Sequence, residues 1–128
     1  MHLQESGEMY LETILVLTQK RRAVRSIDVA ERMGFSKPSV SRAVGLLKNG
    51  GYLSVDSDGN LSLTDLGREV AEKTYDRHNT LTDFFVLLGV DRDTAVEDAC
   101  KMEHDIGDVA FRALKAHVEE LRRKKENP

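Results

Sequence analysis

Apolar positions recur every three to four residues along most of the chain, a spacing typical of amphipathic helices. Over residues 5–19 this spacing places Tyr10, Ile14 and Leu17 on one face. The same spacing returns after residue 64 and continues almost to the end of the chain. The pattern therefore predicts one helix at the start and a group of helices in the second half.

Two short helices are predicted next, before residue 50. Ser26 can cap the first, which continues to Met33, and Gly34 can end it. Residues 36–39, SKPS, open the second, because proline is tolerated in a first helical turn whose N–H groups have no helical partner. Two short helices joined by a few residues around a glycine form a helix-turn-helix pattern.

Strand-like alternation follows the helix-turn-helix directly. Leu53 and Val55 alternate with polar residues, as do Leu61 and Leu63, and an Asp-Gly pair at 58–59 separates the two runs. This arrangement predicts a small β-hairpin. A helix-turn-helix followed at once by a hairpin has the element order of a winged helix.

Three further helices are predicted after the hairpin. Thr64 can cap a long one that ends near Gly89, and residues 92–105 and 107–124 form the other two. The residues of the long helix expected to face inward are Leu66, Val70, Leu81 and Phe85. The predicted fold class is mainly α with a small β-hairpin wing: a winged helix-turn-helix over residues 1–72, then a helical domain over residues 73–128.

Charge is distributed unevenly, although the net charge of the 128 residues is only −3. Residues 20–48 carry eight basic and two acidic side chains, whereas residues 76–108 carry nine acidic and three basic ones. The first segment suits a polyanion and the second suits cations. Two ordinary solvated faces would give the same contrast, so the charge distribution only supplements the motifs.

Membrane and secretory classes are disfavoured by the sequence. No run approaches the roughly 20 apolar residues of a membrane span, and the first residues lack the pattern of a secretory signal. The single cysteine, Cys100, excludes an intramolecular disulfide and favours a reducing compartment. We therefore expect a cytoplasmic protein with no membrane partner.

The start of the second short helix carries side chains suited to double-stranded DNA. Ser36 and Ser39 can donate to phosphates, and Arg42 on the same face can reach a guanine edge. Ser36 could instead be only a cap and Arg42 only a solubilising charge, but the adjacent hairpin and the local positive charge favour DNA. The predicted DNA-binding residues are Arg25, Ser36, Lys37, Pro38, Ser39, Arg42 and Lys48.

Side chains able to bind a transition metal occur on three predicted helices. Cys100, Glu103 and His104 stand at i, i+3 and i+4 and therefore share a face of the fifth helix. Singly, such residues have plainer interpretations, as packing sulfur atoms, a core histidine or a solvated carboxylate. Together, thiolate, carboxylate and imidazole suit a transition metal. The full set of predicted ligands is Met9, Glu12, His78, Cys100, Glu103 and His104.

The motifs resemble the diphtheria-toxin-repressor and manganese-transport-regulator family of metal-dependent repressors, in a short form without the SH3-like domain. The resemblance covers residues from about 8 to about 110, through EMYLETI, VAERMGFSKPSVSRAV, LSLTDLG, RHNTL and DACKMEHDIGD. It implies a homodimer that represses transcription by binding DNA when a divalent metal is abundant. The operator of such a dimer should be pseudo-palindromic.

The resemblance also implies roles for individual residues. The sulfur-containing site of the iron-responsive branch is matched by Met9, Cys100, Glu103 and His104. Ligands of the manganese branch are matched by Glu12 and His78, and both branches share His78. Thr82 stands where the iron branch often has a carboxylate, and Val96 where it has a second histidine. A second metal site would therefore be incomplete.

The donor atoms also bear on the identity of the metal. Sulfur ligands disfavour Mn(II) relative to Fe(II), Co(II), Ni(II) and Zn(II). We expect Fe(II) as the physiological effector and Mn(II) second, with Zn(II), Co(II) or Ni(II) substituting in vitro. Apolar residues that are candidates for dimer burial, unless they pack within the monomer, are Ala95, Ala99, Met102, Ala110, Leu114, Val118 and Leu121.

Other functional classes fit the sequence less well. A metal-independent winged-helix regulator that senses a small organic ligand would leave the Cys-Glu-His cluster unexplained. A cysteine hydrolase is disfavoured because Cys100 lies mid-helix among carboxylates, without a Gly-rich turn to bind an oxyanion. A zinc enzyme is disfavoured because no HExxH-like spacing occurs. We therefore expect no catalytic residues.

Overall fold

The protein is described by a computed structural model that covers residues 5–21 and 23–126. Over these residues it has six helices and one antiparallel two-stranded hairpin, which confirms the mainly α class with a hairpin wing. The elements are α1 (Glu5–Lys20), α2 (Ser26–Met33), α3 (Lys37–Asn49), β1 (Leu53–Val55), β2 (Leu61–Leu63), α4 (Asp65–Leu87), α5 (Arg92–Met102) and α6 (Asp108–Glu126). The chain forms two compact units that divide between Lys73 and Thr74, within α4.

The core of the first unit is built on one face of α1. Leu11 and Ile14 of α1 are fully buried, as are Val29 of α2 and Val40 of α3. Contacts connect α1 to α2, to α3 and to β2, and α3 to β1. Burial of Val40 fixes which side of α3 faces inward, because residues three and four apart share a helix face. The opposite side of α3 is left exposed.

The start of α2 differs by one residue from the prediction. Ser26 is the first helical residue rather than the cap, and Arg25 occupies the cap position in an extended conformation. The backbone N–H of Arg25 donates to Asp28 Oδ2 at 2.9 Å. The acidic side chain in the first turn therefore satisfies the entry to the helix, and a serine cap is not needed. Gly34 ends α2 with a positive φ of 71°, as expected.

The hairpin has the predicted alternation and turn. Leu53 pairs with Leu63 and Val55 with Leu61, and Leu53 and Leu61 are buried. Gly59 has φ of 83°, the conformation for which the Asp-Gly pair is favoured. Arg25, which precedes α2, forms an isolated antiparallel bridge with Asn60. The hairpin is thus joined to the helix-turn-helix through its second strand.

The start of α4 is fixed by Thr64 and Gly67. Thr64 Oγ1 accepts from Gly67 N at 3.1 Å and donates to Gly51 O at 2.6 Å, which confirms the predicted cap. A Cβ on Gly67 would overlap with the backbone carbonyl of Tyr52. Because Gly67 packs against the chain here, its neighbour Leu66 points elsewhere and is 47% exposed. The expectation that Leu66 faces inward was therefore wrong for the single chain.

The second unit contains the end of α4 together with α5 and α6. Leu81, Ala95, Ala99 and Val118 are fully buried in the single chain. The alternative of packing within the monomer therefore holds for Ala95, Ala99 and Val118, which are not available to a partner. Met102, in contrast, is 39% exposed.

An ion pair connects two helices of the second unit. Between α4 and α6, Lys115 Nζ donates to Asp76 Oδ2 at 2.8 Å.

In the described part of the chain, no helix has the length and apolar character needed to cross a membrane.

Candidate metal centre and nucleic-acid interface

Three of the predicted ligands meet in the second unit. His78 Nδ1 lies 2.8 Å from Glu103 Oε2 and 3.6 Å from Cys100 Sγ. The nitrogen, sulfur and oxygen atoms of this cluster all lie within 4.8 Å of one another. The spacing places three different donor types around a volume that one cation can share. We refer to His78, Cys100 and Glu103 as the donor cluster.

The donor cluster is assembled from α4 and the end of α5. His78 projects from α4, and Cys100 lies in the last turn of α5. Glu103 is the C-cap, and its backbone N–H donates to Ala99 O at 2.9 Å. Because α5 ends at Met102, the prediction that one helix extends to residue 105 and carries all three residues was wrong.

His104 lies in the turn after α5, next to the donor cluster. Its Nε2 is 3.2 Å from Glu103 Oε1, on the other side of the carboxylate from His78. The side chains of both His104 and Glu103 are 2% exposed. One buried carboxylate therefore stands between two imidazoles, an arrangement that a cation shared by these side chains would stabilise.

The proton distribution follows from this geometry. Hydrogen bonds with Cys100 and with Glu103 raise the pKa of His78 to about 10, although partial burial acts in the opposite direction. At neutral pH and without metal, the imidazolium supplies the positive charge beside Glu103. A metal ion that binds His78 through Nδ1 must displace this proton.

The chemistry of the donor cluster fits a divalent transition metal. Thiolate, imidazole and carboxylate are ligands of Fe(II), Co(II) and Zn(II). Cys100 is an exposed residue, so the interpretation of a buried packing cysteine does not hold. Cys100 is exposed while Glu103 is buried, so the donor cluster extends from the surface of the second unit into its interior.

Met9 and Glu12 lie on α1, in the first unit. Met9 is 38% exposed, so it is not a fully packed core residue, and Glu12 is half-buried. Both stay predictions as metal ligands.

The incomplete second site stays a prediction, and the structure shows what the Thr82 side chain contacts. The Thr82 side chain donates to the backbone carbonyl of His78 at 2.8 Å, and Thr82 is only 3% exposed. The hydroxyl at the position of the missing carboxylate thus serves the backbone of α4.

The candidate DNA-binding residues of α3 lie on its exposed side. Ser36 caps the helix by accepting from Ser39 N at 3.3 Å, and the two hydroxyl oxygens are 2.8 Å apart. Ser36 therefore does cap the helix, and the first turn of α3 is still exposed to solvent. The exposed residues of this surface are Ser36, Lys37, Pro38, Ser39, Arg42 and Lys48.

A shallow groove of about 380 Å³ lies beside this surface. Arg25 and Lys37 provide two cations to its lining, and the turn glycine Gly59 closes one side. A Cβ on Gly59 would lie 3.4 Å from the Arg25 guanidinium. Sequence reasoning included Arg25 and Lys37 but missed the other lining residues, which are Ser26, Ile27, Ser41 and Gly59. Gly59 approaches through the bridge between Arg25 and Asn60, and Ser41 through the packing of α2 against α3, contacts that no local motif encodes.

Arg77 is a second residue that sequence reasoning did not single out. It directly precedes His78 on α4, and only 6% of it is exposed. A lone arginine on a helix is normally interpreted as a surface charge, and a buried position becomes visible only when its partners are known.

Comparison with known proteins identifies both units. A family model described as the iron dependent repressor N-terminal DNA binding domain matches residues 2–61. A second, described as the iron dependent repressor metal binding and dimerisation domain, matches residues 64–127. Together the two models account for nearly the whole chain.

Individual relatives agree with the family models. An HTH-type transcriptional regulator of Methanocaldococcus jannaschii is 32% identical over 95% of this chain and 99% of the relative. The diphtheria toxin repressor of Corynebacterium diphtheriae is 33% identical over 88% of this chain and 50% of the relative. The solved structure of a manganese-dependent transcriptional repressor in complex with manganese has a TM-score of 0.81 and 28% identity, and the match covers 88% of this chain and 52% of that one. The chain thus spans about half the length of the last two proteins. It belongs to the iron-dependent repressor family, whose members include metal-dependent transcriptional repressors.

Proposed function

We propose that this protein represses transcription by binding operator DNA as a homodimer when a divalent transition metal is bound, with Fe(II) preferred and Mn(II) second. The observation that carries the proposal is the donor cluster, in which His78 Nδ1 lies 2.8 Å from Glu103 Oε2 and 3.6 Å from Cys100 Sγ. His78 from α4 and Cys100 from α5 bring an imidazole and a thiol to the carboxylate of Glu103, and these donor types together suit a transition metal.

The complete ligand set in this proposal includes residues of both units. His104 adds a second imidazole beside Glu103, at 3.2 Å. Met9 and Glu12 add a thioether and a carboxylate from α1. These residues would hold the metal, which would supply the positive charge that their donor atoms share. The residues themselves supply selectivity, because the two sulfur atoms favour Fe(II) over Mn(II).

Coupling to DNA requires that metal and operator favour the same conformation. In this proposal, α1 is fixed by the engagement of Met9 and Glu12, and α1 packs against both helices of the helix-turn-helix. The position of α3 then depends on the occupancy of the ligand set. By linkage, DNA must raise the affinity for metal by the same factor that metal raises the affinity for DNA.

The DNA-reading residues divide into two groups. Ser36, Ser39 and Arg42 lie at the exposed start of α3, where base edges and phosphates come closest. Arg25, Lys37 and Lys48 provide sequence-independent attraction to the phosphate backbone. In a homodimer, two copies of α3 would read half-sites separated by the helical repeat of DNA, which predicts a pseudo-palindromic operator.

DNA binding under anaerobic conditions with defined metals tests the proposal. The reduced protein is loaded with Fe(II), Mn(II), Zn(II) or chelator, and fluorescence anisotropy measures its affinity for a duplex selected in vitro and for a scrambled duplex. Metal should raise affinity for the selected duplex by about 5- to 150-fold, the usual range of allosteric coupling. Equal affinity in chelator and in every metal would overturn the proposal.

A pair of variants separates the ligands from their surroundings. Cys100→Ala should abolish the response to Fe(II). Lys101→Gln, which changes the exposed neighbouring residue, should leave it unchanged. For the choice of metal, Cys100→Glu combined with Met9→Asp should shift the response from Fe(II) towards Mn(II). Unchanged relative potency of the two metals in that double variant would refute the argument from sulfur donors.

A further inference from the structure

Arg77 is a buried cation close to the donor cluster that is not itself a candidate ligand. It is 6% exposed and lies on α4 immediately before His78. Burying a guanidinium is unfavourable unless its charge and its N–H groups are matched. The two terminal nitrogens have such partners whereas Nε has none among the described residues, and these partners indicate what the side chain stabilises.

The Arg77 partners all lie between the end of α5 and the first turns of α6. One terminal nitrogen donates to the backbone carbonyl of Ile106 and lies 3.4 Å from that of Glu103. The other donates to the carboxylate of Asp108. The guanidinium carbon lies 5.1 Å from the centre of the Phe111 ring, within the range of a cation–π contact. One side chain thus contacts both ends of the segment 103–107.

This segment is the part of the second unit that carries Glu103 and His104. The last carbonyls of a helix have no partner within the helix, and Arg77 provides donors for carbonyls at and beyond the end of α5. Because Arg77 is adjacent to His78, the same residue links the helix that carries His78 to the turn that carries Glu103 and His104.

We propose that Arg77 is a positioning residue, which holds segment 103–107 against α4 before any metal binds. Its effect on the backbone rests on the contacts above. Its effect on metal affinity rests in addition on the proposed function. Partners that orient metal ligands without touching the metal are often worth about 10- to 100-fold in affinity.

Hydrogen exchange in the metal-free, full-length protein tests the positioning role directly. In Arg77→Met, the backbone amides of residues 103–107 should exchange faster than in the wild type. In Arg77→Lys the increase in exchange should be smaller than in Arg77→Met, because the ammonium group retains the positive charge. It should not vanish, because one ammonium group cannot serve both the Ile106 carbonyl and Asp108. The matched control is Lys115→Met, which removes another cation between α4 and α6, paired with Asp76 at 2.8 Å. The control should keep wild-type exchange over 103–107.

Co(II) titration adds a readout of the donors themselves. The thiolate-to-cobalt absorption band of the wild type reports on Cys100, and Arg77→Met should require about 10- to 100-fold more Co(II) to reach half its intensity. Lys115→Met should titrate like the wild type. Should Arg77→Met fail to fold, Arg77→Lys is used for both measurements, with the same direction of change.

Two results would overturn the inference. One is wild-type exchange over residues 103–107 in both Arg77 variants, and the other is an equal loss of Co(II) affinity in Lys115→Met. Failure of the proposed function has a different signature, because the wild type itself would then show no thiolate-to-cobalt band. The exchange measurement on metal-free protein would still test Arg77 in that case.

Discussion

Loss of stability of the metal-free protein at alkaline pH should depend on His78. Contacts with Cys100 and Glu103 raise the pKa of His78 from 6.5 to about 10 in the folded state. Between these two values the folded protein binds one more proton than the unfolded chain. Stability from this group is therefore fully present below pH 6.5 and is lost as the pH rises to about 10.

The size of the effect follows from the same two values. One retained proton changes the free energy of unfolding by about 1.4 kcal/mol per pH unit. The His78 side chain is only 19% exposed, so little solvent screening applies. Over the whole interval from 6.5 to about 10, the contribution is on the order of 5 kcal/mol, a large part of the stability of a small protein.

Urea unfolding in the presence of a chelator measures this dependence. Circular dichroism at pH 7, 8 and 9, at one fixed protein concentration, should show a decline in the free energy of unfolding for the wild type. His78→Gln should lower stability at pH 7 and flatten the decline. His117→Gln, which removes an exposed histidine of α6, provides the matched control and should follow the wild type. Equal slopes for the wild type and His78→Gln would refute the reasoning.

Three further predictions concern the metal, the DNA and the fold. Cys100→Ser should weaken the binding of Fe(II) and Co(II) more than that of Mn(II), because oxygen replaces a soft donor. Calorimetry under anaerobic conditions measures the affinity of both proteins for each metal, and an equal loss of affinity for all metals would contradict this prediction. Arg42→Ala should reduce discrimination between operator and scrambled DNA by about 1–3 kcal/mol per half-site. Lys48→Gln should chiefly lower the salt dependence of binding, by about 0.9 in the slope of log affinity against log salt for each phosphate no longer neutralised. Anisotropy titrations that show the opposite assignment would contradict this division of roles. Gly67→Ala should destabilise the protein by about 1–3 kcal/mol despite the better helix propensity of alanine, because its Cβ would overlap with the Tyr52 carbonyl; a rise in the melting temperature would contradict this.

Local signals in the sequence predicted most of the first unit. Ser36 caps α3, Gly34 ends α2 and the Asp-Gly pair turns the hairpin, because each of these features depends on neighbouring residues. The outward position of Leu66 could not be predicted in the same way. It depends on close packing of Gly67 against the backbone of Tyr52, a contact between elements.

The end of α5 shows the same limit within the candidate site. The helical pattern continues through residue 105, and the sequence has no glycine or proline there before Gly107. The helix nevertheless ends at Met102, where the backbone carbonyl of Glu103 and that of Ile106 face Arg77. A residue 26 positions earlier in the chain supplies these donors. The donor types were visible in the sequence, but the meeting of His78 with Cys100 required the packing of two helices.

The tip of the hairpin has a consequence for the direction from which a duplex can approach. Asp56 Oδ1 accepts from the backbone N–H groups of Asp58 and Asn60, each at 2.9 Å, and hydrogen bonds led by those with Asn60 lower the pKa of Asp56. This carboxylate therefore keeps its negative charge even in mildly acidic solution. Asp58 stands beside it, so the carboxylates of the turn repel a polyphosphate chain, whereas the Arg25 guanidinium next to Gly59 attracts one. We therefore expect a nucleic acid on α3 to be attracted where Arg25 meets the turn and repelled at Asp56 and Asp58.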